Sequence, residues 1–493
     1  MMELTVVIWP ALALVLSFIT FISLRDSQKQ IVLRRLGFAR NADRPSTPTL
    51  EKQPLSKPLA SSASGLAAAL PPPQRDRLKK LVSTLSPSQQ NALGDLFFEQ
   101  ETCNRSLLKF EEEYSTADES KYTCMGLSIG EIKTLGDFPD YSVLTDVPLP
   151  NAYHGFDINT AIARPYRPFR WAYHQTMSLN KLETDWWIEL ESTYKERITQ
   201  RKELYEKHGA AVLQWLPGSE LACKELMEMV IQFICARYPQ YFVLSQDTLR
   251  LENKILGVVA DLKEKHPLLI LLDHVPEDFA IMLRDPETGY YLFRAGMICS
   301  ALGWNVESKI GMKLHEIHEP IPDYKEKMQF SMDRFFSKMP TNKPIQRGSW
   351  GLEVDEPLYM PPGDPHAEYR NYQDPSWTRS RMNLRVDWQT LRRMPLSGGI
   401  VFNFKALFTP LEDFREEPYI PSLILKVLTE GNKEIMQYKN TWHTEHVVIP
   451  ALREFEKEQK ESGLIEKGWE PHTLEESPFF PGWEERWHVR QGF

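Results

Sequence analysis

From Leu4 to Leu24 the chain reads LTVVIWPALALVLSFITFISL, an apolar run without one charge. At about 1.5 Å per residue it covers a hydrocarbon core of about 30 Å, and it predicts one transmembrane helix with Pro10 as a tolerated kink. The preceding MMEL has no basic residue and carries Glu3, unlike the n-region of a cleaved signal peptide. Arg25, Lys29, Arg34, Arg35 and Arg40 follow, opposed only by Asp26. The positive-inside rule puts that flank and everything after it in the cytosol, with the N-terminus lumenal or external. A span of ordinary length suits the endoplasmic reticulum. The expectation is a single-pass membrane protein.

Past the basic flank, the stretch from Arg44 to Arg75 is dominated by Pro, Ser and Ala. It has too little apolar surface to offset its ordering entropy, which predicts a disordered linker. Helical spacing returns in RDRLKKLVSTL and SPSQQNALGDLFFEQ, with Ser86 placed as an N-cap. The predicted segments are an anchor over 1–25, a basic flank and linker over 26–75, a helical lead-in over 76–121 and one large domain over 122–493.

Inside that domain, Trp186–His208 and Glu220–Tyr238 carry helical periodicity. FVLS from Phe242, LLILL from Leu268, DFAIMLRD from Asp278 and GYYLFRAGMI from Gly289 read as strands, and DPETG between the last two marks a β-hairpin. MNLRVDWQTLRRM and GGIVFNFKALF around Pro395–Gly399 predict a second hairpin. Helices return from Pro421. Central strands between helical segments give an α+β fold with an antiparallel sheet.

Composition narrows the function. A net charge of −9 excludes a general binder of nucleic acid, whose phosphates select basic surfaces. Cys103, Cys124, Cys223, Cys235 and Cys299 are widely spaced and form no CxxC pair, so reduced thiols are expected rather than a zinc ribbon or disulfide framework. GxGxxG after a strand, GxxxxGK[ST], GxSxG and HExxH are all missing.

Two dense constellations remain. In KIGMKLHEIHEPIPDY, His315 and His318 stand three apart and would share one helix face, which Pro320 ends. Histidine is a common metal and haem axial ligand; the competing reading is two ordinary polar residues at an element end. In NLRVDWQTLRRMPLSG, alternation puts Leu384, Val386, Trp388 and Thr390 on one strand face and Arg385, Asp387 and Gln389 on the other. Arg and Gln facing a cavity suit carboxylates such as haem propionates; the alternative is a solvent face with an ion pair. RPYRPFRW, Arg164 to Trp171, reads equally as an anion-binding loop or a rigid surface turn. The aromatic tail PFFPGWEERWHVRQGF reads most simply as packing back on the body, with a partner site as the alternative.

The string RPYRPFRWAYHQTMSLNKLETDWWIELESTY resembles the opening block of the haem-dependent oxidative N-demethylase α-subunit-like family. RYPQYF, EDFAIM, AGMICSALGW with KIGMKLHEIHEPIP, and LRVDWQTLRRMPLSG resemble its later blocks in order, over roughly residues 122–455. The chain departs at Asp387-Trp388-Gln389, where the family pattern has an acidic residue, Arg and Gln. The resemblance implies a PAS-like antiparallel sheet with flanking helices that holds haem b. It implies oxygen-dependent oxidation or N-demethylation of a small amine or other small organic substrate, with electrons from a separate reductase. It points to His318 as the proximal ligand and metal-binding residue, with His315 as its substitute. Arg385 and Gln389 then become propionate or distal-pocket contacts, followed by Arg167 and Arg170. Beside this monooxygenase reading stand a haem or gas sensor and a non-catalytic membrane-tethered scaffold.

Overall fold

A computed structural model describes residues 107–492 except Gln175 and Pro362. The expected anchor, linker and Ser86-capped helix lie outside the described residues, as does most of the lead-in. What is described of the lead-in, from Leu107 on, is turns and isolated bridges rather than helix.

The elements run α1 (Ile129–Leu135), α2 (Tyr141–Thr145), β1 (Asn180–Lys181), α3 (Tyr194–His208), β2 (Leu213–Trp215) and α4 (Glu220–Arg237). Then come β3 (Phe242–Ser245), β4 (Arg250–Asn253), β5 (Val258–Asp261), α5 (Pro267–His274), β6 (Asp278–Arg284) and β7 (Tyr291–Met297). After α6 (Leu314–Ile317) a π-turn over Tyr324–Met328 leads into α7 (Gln329–Lys338), β8 (Ile345–Val354) and α8 (Pro365–Tyr369). The chain continues through β9 (Met382–Arg393), β10 (Ile400–Pro410), α9 (Ile420–Glu430), α10 (Lys433–Lys439), α11 (Trp442–Ser462) and α12 (Trp483–Arg490).

A seven-stranded antiparallel sheet in the order β1-β8-β9-β10-β6-β7-β2 forms the centre, and β3-β4-β5 make a small separate meander. Both expected hairpins form, β6–β7 and β9–β10. The second closes on the turn before Gly399, where Gly398 takes φ +74° and the buried carboxylate of Glu225 on α4 accepts from the Leu396 and Ser397 amides. Desolvation pushes the Glu225 carboxyl up to about 7, even against these donors.

Two expectations change. LLILL belongs to α5 rather than a strand, because Pro267 sits at its first turn and His266 caps it by accepting from the Leu268 amide. An apolar run buried all round has no face to reveal its period. The helix expected from Trp186 starts only at Tyr194, since Trp187, Ile188 and Leu190 are spent as buried, non-helical packing.

The single-pass topology is also corrected. Among the described residues no helix is long and apolar enough to cross a membrane. The most apolar long helix, α4, carries Glu220, Lys224, Glu225, Glu228 and Arg237, and α11 is amphipathic with Pro450 inside it. No described helix supports the single-pass placement, and the membrane as a partner, the tethered scaffold and the endoplasmic-reticulum placement are not carried further. The aromatic tail folds back: Phe480 is buried, and the Trp487 indole donates to the Ile162 carbonyl at 2.9 Å.

Candidate haem-binding site

The centre of the sheet is dry except along one strip. On β9 every residue is buried apart from Asp387 and Gln389, and on β10 the partly exposed residues within the strand are Phe404 and Phe408. Register places Arg347 of β8, Gln389 and Phe404 side by side, so they share one face. Phe404 stacks on Phe402 at 5.7 Å, and Phe402 meets Phe336 of α7 at 5.5 Å. This face therefore joins an aromatic wall to a cation and an amide.

Arg347 has an unusual setting. Its Nε is buried without a hydrogen-bond partner, and among the described residues no carboxylate forms an ion pair with it. Desolvation lowers its pKa; the Tyr166 and Tyr173 hydroxyls offset this in part, and Arg170 adds to it. A Cβ on the adjacent Gly348 would lie 2.7 Å from the Tyr166 ring, so that glycine lets the tyrosine lie against the strand. Lys439, at the end of α10, donates to the Trp350 carbonyl at 2.8 Å and sits 4.4 Å from the centre of the Trp350 ring. Burial pushes Lys439 down to about 7, with Asp387 opposing and Arg347 reinforcing the shift. Buried cations short of carboxylates are costly, and an anionic ligand relieves the cost.

His318 lies close enough to this cluster for Arg347 to act on its charge. It caps the end of α6, and its Nδ1 donates to the Leu314 carbonyl at 2.7 Å, one of the acceptors a helix end leaves free. The ring stacks on Tyr324 at 5.2 Å and 13°, and the Tyr324 hydroxyl is buried with no partner. Desolvation holds the imidazole at about 4. It is therefore neutral at pH 7, with Nδ1–H engaged and the Nε2 lone pair left for a ligand. His315 turns elsewhere, edge-on to Tyr290 at 5.4 Å, with its Nδ1 buried and unpaired. The two histidines expected on one face thus have different neighbours.

Two expected contact residues have other work. Arg385 is buried and spends its donors on Asp387, on the carbonyls of Pro357 and Leu358, and on that of Ser300. Arg167 is buried in a two-pronged pair with Glu417 at 2.6 and 2.7 Å, and its Nη1 donates to the Tyr166 carbonyl. Both tie loops to the body through these bonds. Arg170 stays beside Arg347, and Gln389 stays in the open strip. Trp388 is buried, and its indole donates to Gln346 at 3.0 Å. Strand alternation sends it away from Gln389, so the departure at this position lies on the packing face. Arg347, Lys439, Tyr166 and Tyr173 were not expected from sequence; the one local signal was Arg-Gly inside a strand.

A sequence model of the haem-dependent oxidative N-demethylase, α-subunit-like family matches residues 178–449, more than half of the chain. The chain belongs to this family. The match runs from just before β1 into α11 and contains His318, Arg347, Gln389 and Lys439, while Arg167 and Arg170 precede it. A haem-dependent oxidative N-demethylase needs a neutral imidazole for the metal, cations for the propionates and an apolar wall for the ring. His318, Arg347 and the Phe336–Phe402–Phe404 wall are groups of these three kinds. Among the described residues no group of three or more His, Cys, Asp and Glu side chains is placed to hold a metal ion. As an α-subunit-like chain of such an oxidase, it fits an assembly with a partner and a small-molecule substrate.

Proposed function

We propose that this chain is the haem-carrying subunit of an oxygen-dependent demethylase acting on a small N-methylated amine. The observation that carries the reading is the neutral, helix-anchored imidazole of His318 within electrostatic reach of a buried cation, Arg347, that has no carboxylate of its own. When bound, haem supplies the redox chemistry by which dioxygen, two electrons and two protons turn an N-methyl group into formaldehyde, leaving the demethylated amine and water.

The chain's own residues do the rest. His318 would offer Nε2 to the iron, with the Leu314 carbonyl holding its tautomer and ring plane through Nδ1. Arg347, with Arg170 and Lys439 acting on its charge or acted on by it, would hold the propionates. Gln389 presents an uncommitted amide to whatever lies over the strip, and Phe404 excludes water beside it. Non-covalent haem b is favoured because the sequence has no Cys-x-x-Cys-His attachment pattern. The two electrons come from a separate reductase, since the chain carries no recognisable flavin or iron–sulfur module.

The test is turnover by the full chain loaded with haem, given a chemical reductant, oxygen and a panel of small secondary and tertiary N-methylamines. Formaldehyde released in step with oxygen uptake, and abolished in His318→Ala, is expected. Haem binding with no product from any amine would contradict the demethylase reading and favour a gas or redox sensor.

A further inference from the structure

The reverse face of the same sheet carries a second buried cation without a counter-charge. Arg392 of β9 is only 8 % exposed, and among the described residues no carboxylate pairs with it and no acceptor takes its Nε–H. Strand alternation puts it with Thr390 on the face opposite Gln389, away from the haem-side strip. Its guanidinium lies 4.2 Å from the centre of the ring of Trp187, in the segment before α3. Asn403 of β10 stands directly across from Thr390, and its Nδ2 donates to the Trp187 carbonyl at 3.4 Å. Register and these contacts gather Arg392, Trp187, Thr390 and Asn403 in one place. The last three are at most 1 % exposed, yet the Trp187 Nε1–H, the Thr390 hydroxyl and Asn403 Oδ1 all lack partners.

Stacking on an aromatic ring offsets only part of the cost of a desolvated guanidinium. Buried donors left open in a native interior mark a bound water or ion. Water would satisfy the donors and leave the charge uncompensated, whereas an anion does both. We infer that this cluster binds one small inorganic anion of about the size of chloride. Arg392 supplies the charge, with the Trp187 indole and the Thr390 hydroxyl as neutral donors beside it. Asn403 Oδ1 is the one orphaned acceptor of the group and calls for a single buried water alongside the anion. Enclosure on all sides excludes a bulky phosphate ester or nucleotide. The bound anion would tie the segment before α3 to the β9–β10 hairpin, and it depends neither on haem nor on the demethylase reading.

Thermal unfolding of the full chain tests this, followed at constant sodium concentration while chloride replaces gluconate. Binding to the folded state alone raises the midpoint with the logarithm of chloride concentration once the site fills. Arg392→Met removes the charge and should abolish that response. Thr390→Val keeps the shape and removes one donor, so about fivefold more chloride should be needed for the same rise. Crystals grown with bromide in place of chloride give a reading that needs no variant: an anomalous peak within hydrogen-bonding distance of the Arg392 guanidinium. A wild-type midpoint indifferent to chloride, a response unaltered in both variants, or density beside Arg392 that scatters as water in bromide would overturn the assignment.

Discussion

Two arginines on the same sheet behave oppositely, and the difference is one of partners. Arg385 is saturated by one carboxylate and three carbonyls, whereas Arg347 keeps a buried Nε with none. Removing Arg385 strands those carbonyls, so Arg385→Ala should cost about 3 kcal/mol in denaturant unfolding. Gln389→Ala removes a half-exposed amide and should stay within about 0.5 kcal/mol while changing what the strip binds. Equal losses of stability would contradict this division. His274 gives a second residue-scale outcome. Burial pushes it down to about 4, and its Nδ1 meets the Asn253 amide at 3.2 Å. A histidine depressed on folding keeps its full contribution above its ordinary value near 6.5 and loses it as pH falls toward 4. Unfolding free energies measured at pH 7 and 5 should therefore converge in His274→Gln, by up to about 1.4 kcal/mol per pH unit. An unchanged slope would mean that the histidine is already solvated.

At the scale of elements, the β9–β10 hairpin is where local sequence and tertiary support agree most closely. Gly398 is required twice there: its φ is +74°, and a Cβ would run into the Cys124 sulfur. Gly257 has φ +68° with open space around it. Gly398→Ala should thus cost about 2 kcal/mol or more, and Gly257→Ala about 1 kcal/mol, in the same unfolding experiment. Similar costs would show that crowding at Cys124 does not matter. This hairpin was legible in sequence because alternating positions flank a turn. The β6–β7 hairpin was legible for the same reason around DPETG. LLILL was not, since a short run buried on all sides carries no period. The site was half legible. His318 stood out through its block, and Gln389 through alternation. Arg347 and Lys439 did not, because an unpaired buried cation is defined by neighbours distant in the chain. Arg167 and Arg385 looked available for the converse reason: Glu417, Pro357 and Ser300 are remote from them in sequence.

For the whole molecule, a seven-stranded antiparallel sheet forms the floor of the proposed haem site, with α6 carrying His318 at its end and Phe336 of α7 packed on Phe402 of the sheet. Family membership supplies haem-dependent oxidative chemistry, and the cation strip explains how this particular chain would orient the cofactor. The account turns on His318. Its most direct test is the absorption spectrum of the full chain, purified with haem supplied, as wild type, His315→Ala and His318→Ala. The account predicts a Soret band in wild type and His315→Ala that shifts on reduction and again with carbon monoxide, and its loss or displacement in His318→Ala. A folded wild-type chain with no Soret band, or a His318→Ala spectrum identical to wild type, would contradict it.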